Sequence, residues 1–446
     1  MKKGNAWALL PIGVFLAIYL GLGLTFEYIL KIEMGFYQVP IIIAFLAAIL
    51  VACLQNRKVS FEDKLEIMGQ GVGDKNIITM LLIFLVAGAF VGVVGRTSAQ
   101  SVAYFMLDVI PARFAVAVLF VVACFVSTAM GTSVGTITLI VPIAVEVSQA
   151  SGYDLALCVG TVVGGAMFGD NLSFISDTTI AACNGQGCAM RDKFKGNFLI
   201  ALPAALATLV LVLVMTANQE TKPIEQEYSL VQIIPYVLVL LGGIAGINVF
   251  VVLIIGILSG ILAPQIIAAV AAALAGEPIP NLLSISLLSD MGTGAAGMFE
   301  TSMVAVLVAA LCALIRVHGG FDALLYGIRR LFHGKRGGQL GMGLLVGVMD
   351  IATANNTVAI VMANPIAREM SQEYGVSPRR AACLLDTFSC IFQGVIPYGA
   401  QMLVAISAVA GMGLSISAFE IMACLFYPYL LLVSSLIAIY CFKEKK

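Results

Sequence analysis

The run Phe168–Ala182 sets Asp170, Asn171, Ser173, Ser176, Asp177, Thr178 and Thr179 inside an otherwise apolar stretch. Two carboxylates, one amide and four hydroxyls therefore lie where hydrocarbon is expected. A charge at bilayer depth costs at least roughly 2.5–3.5 kcal/mol, so such residues face a cavity, an ion or a substrate. Gly169 is expected to weaken the helix there, and a broken helix frees backbone carbonyls that bind a cation. Oxygen donors suit a hard cation. Asp170 and Asp177 are the sodium-ligand candidates, with Asn171, Ser173, Ser176 and Thr178 beside them. A carboxylate that binds either sodium or a proton is a physical basis for exchange, because each cation displaces the other.

Two short motifs carry related chemistry. Gly131-Thr132-Ser133-Val134-Gly135-Thr136 precedes Pro142, and Ala354-Asn355-Asn356-Thr357-Val358-Ala359 precedes Pro365. Thr132 and Ser133 join the first ion site. Asn355, Asn356 and Thr357, with Asp350, Asp386 and Gln393, make a second cation or substrate site. Helix N-termini at such tips also suit an anion or a carboxylate.

The elements that must position these residues follow from composition. Of 446 residues, 61% are hydrophobic and 11% charged, with mean hydropathy +1.03. An average soluble domain has about 25% charged residues. Runs such as 77–95, 199–216 and 414–440 approach or exceed the roughly 20 apolar residues that span a bilayer. The reading is an all-α polytopic membrane protein. The net charge of −1 suggests no nucleic-acid partner. Most of the ten cysteines fall in apolar helices and read as packing residues. Met1-Lys2-Lys3 leads into a retained first span rather than a cleaved signal. With two histidines, His318 and His333, and no Walker loop, neither a histidine-dependent hydrolase nor ATP coupling is supported.

Self-comparison reveals a duplication. Pro142 and Pro365, Glu146 and Glu369, Gln149 and Gln372, and Gly152 and Gly375 all stand 223 residues apart. The chain divides into a first transmembrane repeat, 1–223, and a second, 224–446. In the first, helices are predicted at 7–30, 36–54 and 77–95. An amphipathic stretch at 98–112 follows, then hairpin legs within 114–149, an interrupted helix over 154–184, and a plain helix over 191–217. The second repeats this at 229–246, 248–265, 296–315, 321–333, a hairpin within 339–371, an interrupted helix over 378–410, and 416–441. If each hairpin is re-entrant, a repeat crosses five times and the second copy is inverted. With both termini cytoplasmic and the segment around Glu225 external, all of the 24 basic residues except Lys31, Arg96, Arg113 and Lys222 fall inside. Inverted repeats with broken helices at midplane are a signature of secondary transporters. The copies differ chemically: Gln393 stands opposite Asp170, Ala400 opposite Asp177, and Asp386 opposite Val163.

The run Gly169-Asp170-Asn171-Leu172-Ser173-Phe174-Ile175-Ser176-Asp177-Thr178-Thr179 resembles the motif of the NhaC-type sodium/proton antiporter family, with Phe174 where the family has proline. The resemblance implies sodium and proton as transported species, no cofactor, and residence in the plasma (inner) membrane; the expected assembly is a homodimer. Asn355-Asn356-Thr357 with Pro365 is more distantly similar to the hairpin tips of sodium-coupled dicarboxylate and citrate symporters. That likeness implies that each tip faces the broken helix of its own copy: Thr132 and Ser133 with Asp170 and Asn171, and Asn355–Thr357 with Gln393 and Gly394. The expected function is sodium/proton antiport by alternating access. The alternative is sodium- or proton-coupled transport of a small amino acid or carboxylate. Hairpins that dead-end from opposite faces argue against a passive channel.

Overall fold

The computed structural model describes residues 4–32, 38–173, 176–217, 228–245, 247–275 and 285–441, and every regular element among them is a helix. Phe174, Lys222 and Glu225 lie outside the described residues. Helix is what hydrocarbon demands, since it satisfies backbone N–H and C=O groups within one segment.

In chain order the helices are α1 (Leu10–Leu24), α2 (Ile41–Gln55), α3 (Phe61–Val72), α4 (Lys75–Val109), α5 (Ala115–Met130), α6 (Ser133–Ser151), α7 (Leu155–Leu172), α8 (Asp177–Gln186), α9 (Met190–Ala217) and α10 (Leu230–Ile244). There follow α11 (Val249–Ala275), α12 (Ile285–Ala296), α13 (Phe299–Val317), α14 (Gly320–Leu331), α15 (Gly334–Thr353), α16 (Asn356–Glu373), α17 (Pro378–Gly394), α18 (Ala400–Gly411), α19 (Ala418–Cys424) and α20 (Phe426–Cys441). Six described helices are long and apolar enough to cross a membrane, or eight if each bent pair is one span.

Several expectations are corrected. The amphipathic stretch 98–112 is no separate element: α4 runs unbroken for 35 residues and the chain then bends by 114° into α5. Pro111 explains the bend, because it lacks an N–H and fixes its own φ. Helix α3 was unforeseen. Its signal is Ser60, whose hydroxyl accepts from Asp63 N, with Glu62 and Asp63 in the first turn. Helix α12 was also unforeseen; it packs on α4, where a Cβ on Gly88 would lie 2.4 Å from Gly294 O. Only small residues allow that approach.

Gly169 does not break its helix, since α7 continues to Leu172. A Cβ there would sit 2.5 Å from Cys124 O and 2.5 Å from Ser127 Cβ, so Gly169 lets α7 lie against α5. The second interrupted helix stops at Gly394 and resumes at Ala400, across Pro397 and Gly399. Both are residues that end helices.

The two hairpin tips share one backbone geometry. Gly131 (φ +69°) and Ala354 (φ +48°) are left-handed, and each is followed by an extended N-cap, Thr132 or Asn355. These elements form the interior. Of an 18-residue apolar stretch, 83% is buried in Ser133–Ser151 and 89% in Leu155–Gln186, against 33% in Met190–Ala217 and 17% in Phe250–Ala275. The last two present their apolar side chains outward, as lipid-facing helices do.

Candidate functional site

Both tips and both helix breaks line one cavity of about 90 Å³. Four helices begin on it: α6 at Ser133, α8 at Asp177, α16 at Asn356 and α18 at Ala400. Each N-terminus brings unsatisfied N–H groups and roughly +0.5 of an elementary charge. Side chains consume part of that potential. Thr132 Oγ1 accepts from Gly135 N, Asn355 Oδ1 from Val358 N, and Asn356 Oδ1 from Thr357 N.

Asp170 supplies the negative counterpart. It lies in the last turn of α7, 8% exposed. Ser133 Oγ donates to its Oδ2 at 2.9 Å, and Ser176 Oγ donates to its Oδ1. Ser176 in turn lies 2.8 Å from Thr178 Oγ1. A second, inner cavity of about 10 Å³ touches Ser133, Asp170, Asn171, Thr178, Asn356, Asp386 and Gln401. That is about the volume one water-sized occupant requires, and its wall is mostly oxygen donors.

The helix break has a specific support. Asn171 O, in the last turn of α7, would be an orphan carbonyl. Lys193 Nζ and Asn197 Nδ2 on α9 each donate to it at 2.9 Å. The same two groups reach Asp386 Oδ2 at 2.6 and 2.7 Å, and Lys193 also donates to Thr179 Oγ1 across the break at 2.6 Å. Lys193 is 1% exposed and Asp386 2%. One lysine thus ties together α7, α8 and α17. Asn171 Nδ2 donates to Tyr427 OH at 3.0 Å, which holds the Asn171 side chain against α20.

The structure sorts the sequence candidates. Thr132, Ser133, Asp170, Ser176, Asp177, Thr178, Asn355, Asn356 and Thr357 meet at the larger cavity, and Asn171 and Asp386 at the inner one. Asp177 is exposed at the outer cavity and absent from the inner one, so the two carboxylates of the motif are not a matched buried pair. Ser173 caps α7, its N–H donating to Asp170 O at 3.2 Å. The expected second site divides. Asn355, Asn356 and Thr357 share the cavity of the first site, whereas Asp386 pairs with Lys193 from the other half of the chain. Gln393 Nε2 donates to Ala354 O at 3.0 Å, behind the second tip, and Asp350 is fully buried and lines neither of these two cavities.

Three residues were missed. Lys193 was counted among the inner basic charges, yet it is buried; the signal was Lys193 and Asn197 at helical i, i+4 spacing at the head of a long apolar run. Gln401 lines both cavities and donates from Nε2 to Ser133 Oγ at 3.1 Å. It stands 223 residues after Thr178, so the repeat offset carried one position further would have found it.

Comparison with known proteins adds the following. Residues 7–217 match the family model described as the Na+/H+ antiporter family. The chain is 23% identical to the Na(+)/H(+) antiporter NhaC of Alkalihalophilus pseudofirmus, covering 89% of this chain and 88% of that one. It is 26% identical to a malate-2H(+)/Na(+)-lactate antiporter of Bacillus subtilis, over 48% of this chain and 45% of that one. Among solved structures it is similar to the YdaH transporter of Alcanivorax borkumensis, with TM-score 0.41 and 14% identity, covering 82% of this chain and 89% of that one.

Proposed function

We propose that this chain, whose residues 7–217 match the Na+/H+ antiporter family, exchanges sodium for protons by alternating access. It is an integral membrane transporter, not an enzyme. The observation that carries the site is Asp170, a carboxylate held by Ser133 from a hairpin tip and Ser176 from beyond a helix break, on a small oxygen-lined cavity. In this reading sodium is held at Asp170 with oxygen donors from Ser133, Asn171, Thr178 and Asn356. Asp177 acts at the mouth, where its charge concentrates cations.

Lys193 has a defined role in the charge balance. Asp170 and Asp386 alone would hold two negative charges on one small cavity; Lys193 cancels one, leaving a net charge that a single monovalent cation neutralises. The finer assignments belong to the same proposal: two inverted repeats dividing near residue 223, residence in the plasma membrane with both termini inside, and a homodimer.

A second reading rests on the four helix N-termini at the larger cavity. Their N–H groups suit a small carboxylate, and one relative is named for exchanging malate and lactate. Sodium-pulse experiments on proteoliposomes with an interior pH dye test the first reading: an outward sodium gradient should acidify the interior without added solute. Acidification only in the presence of a carboxylate from a solute panel would replace it with the second.

A further inference from the structure

Behind the second tip lie four buried oxygen atoms that make no hydrogen bond of ordinary geometry: both carboxylate oxygens of Asp350, Ser389 Oγ and Gln393 Oε1. Among the described residues the Ser389 hydroxyl is the one polar group close enough to act on the Asp350 carboxyl. Asp350 and Gln393 are 0% exposed and Ser389 1%. Asp350 sits on α15 one turn before the tip, and its backbone carbonyl accepts from Ala354 N at 2.7 Å. Ser389 and Gln393, four residues apart on α17, share a helix face, and α17 packs along α15. The titratable groups facing this spot are Cys312 from α13, Cys390 from α17 and Tyr398 from the second helix break. None of these is a cation, and among the described residues α14, α16 and α20 bring no charged group to bear on Asp350.

An ionised carboxylate this deep, with no counter-ion and a single hydroxyl, that of Ser389, beside it, is not a sustainable state, whereas one proton removes its charge and supplies a donor. We propose that Asp350 carries the exchanged proton, at a site separate from the sodium at Asp170, and that Gln393 couples the two through the second hairpin tip. The proposal rests on sodium/proton exchange as the function.

The coupling follows from what Gln393 holds. With Asp350 protonated, Gln393 Nε2 stays on Ala354 O, clamping a non-glycine residue in the left-handed region at φ +48°, a conformation alanine resists. When the proton leaves Asp350 for water, the carboxylate demands donors, and Ser389 and the Gln393 amide are the groups at hand. Turning Nε2 toward Asp350 releases Ala354 O and the tip, whose Asn355 and Asn356 line the sodium cavity. One proton leaves as one sodium ion enters, so the buried charge is unchanged. A cavity of about 170 Å³ with Asp74 and Arg316 in its wall shares Thr353 with a smaller one at Ala354 and Tyr398; neither touches Asp350, and in this proposal the released tip opens the last step from them to the carboxyl.

The test compares wild type, Asp350→Asn, Asp350→Glu and Asp170→Asn in proteoliposomes, reading sodium/sodium exchange, sodium-driven pH change, and apparent sodium affinity against pH. The expected result is that Asp350→Asn keeps sodium/sodium exchange within about threefold, loses at least about tenfold of the pH change, and shows a sodium affinity flat with pH; for a single coupled proton the wild-type limit is about one decade per pH unit. Asp350→Glu regains part of the pH response, and Asp170→Asn loses both activities. A pH change within twofold of wild type in Asp350→Asn overturns the proposal and leaves the antiporter reading standing. Loss of both activities in a folded Asp350→Asn also overturns it, making Asp350 a sodium ligand. No sodium-driven pH change in wild type overturns the antiporter reading itself. An infrared difference spectrum of the wild type covers misfolding of the variant: the carbonyl band of a protonated carboxylic acid should vanish on adding sodium, and its absence overturns the proposal.

Discussion

Replacing Lys193 with methionine probes the energetics of the site most directly. The substitution keeps the unbranched stem and removes the ammonium that bonds Asp386 Oδ2, Asn171 O and Thr179 Oγ1. Asn197 still donates to both Asn171 O and Asp386 Oδ2, so neither acceptor is stripped bare. What remains is a buried carboxylate without its counter-charge. Breaking a buried pair from one side costs about 3–5 kcal/mol, or roughly two to three and a half decades in the folded-to-unfolded ratio. Removing both charges, as Lys193→Met with Asp386→Leu, leaves no orphan and should recover stability to within about 1–2 kcal/mol of wild type. Sodium should then act differently on the two variants. In the single variant Asp386 and Asp170 both border the inner cavity uncompensated, so at one sodium concentration sodium should stabilise it more than wild type, by up to about 1.4 kcal/mol for each tenfold gain in affinity. Denaturant or thermal unfolding in detergent, with and without sodium against a choline control, measures all of this. A single variant as stable as wild type, or a double variant no better than the single, would refute the assignment of Lys193 as the obligatory partner of Asp386.

Three further outcomes are expected. Asp170→Asn should abolish sodium-driven proton flux in a folded protein, whereas Asp177→Asn, exposed at the cavity mouth, should lower apparent sodium affinity by no more than about tenfold, since screened surface charges are worth about 1 kcal/mol or less; the flux assay separates them. Gly169→Ala should destabilise by about 1–3 kcal/mol, because its Cβ meets Cys124 O and Ser127 Cβ at 2.5 Å and α5 must move aside; unfolding that matches wild type would contradict that packing. His318, beyond the end of α13, has its imidazole pKa lowered by burial and then by Lys64, and its Nδ1 lies 2.8 Å from Asn56 Nδ2. A depressed histidine contributes stability that is intact above the unfolded value of about 6.5 and is lost as pH falls toward the folded value. The melting midpoint should therefore drop below about pH 6.5 in wild type and drop less in His318→Gln.

Class and chemistry were legible in the chain itself. Apolar length dictates helices because hydrocarbon offers the backbone no other partner. A fixed offset of 223 residues marks the two tips, and the tips do share a left-handed residue followed by an extended N-cap. The polar run around Asp170 declares a site because uncompensated charges are not tolerated at that depth. Local sequence could not say which charges cancel. Lys193 looks like a solvated basic residue beside Arg191 and Lys195, and only the packing of α9 between α7 and α17 buries it against Asp386. Asp170 and Asp177 are both ligand candidates in the sequence, which leaves their relative direction open across the break; the turn between Leu172 and Asp177 buries one and leaves the other exposed. Gly169 reads as a helix breaker from its propensity, but the close approach of α5 gives it a different purpose. Pairing between residues hundreds of positions apart is set by how helices cross, and crossing depends on side-chain volumes and close contacts that no short motif encodes.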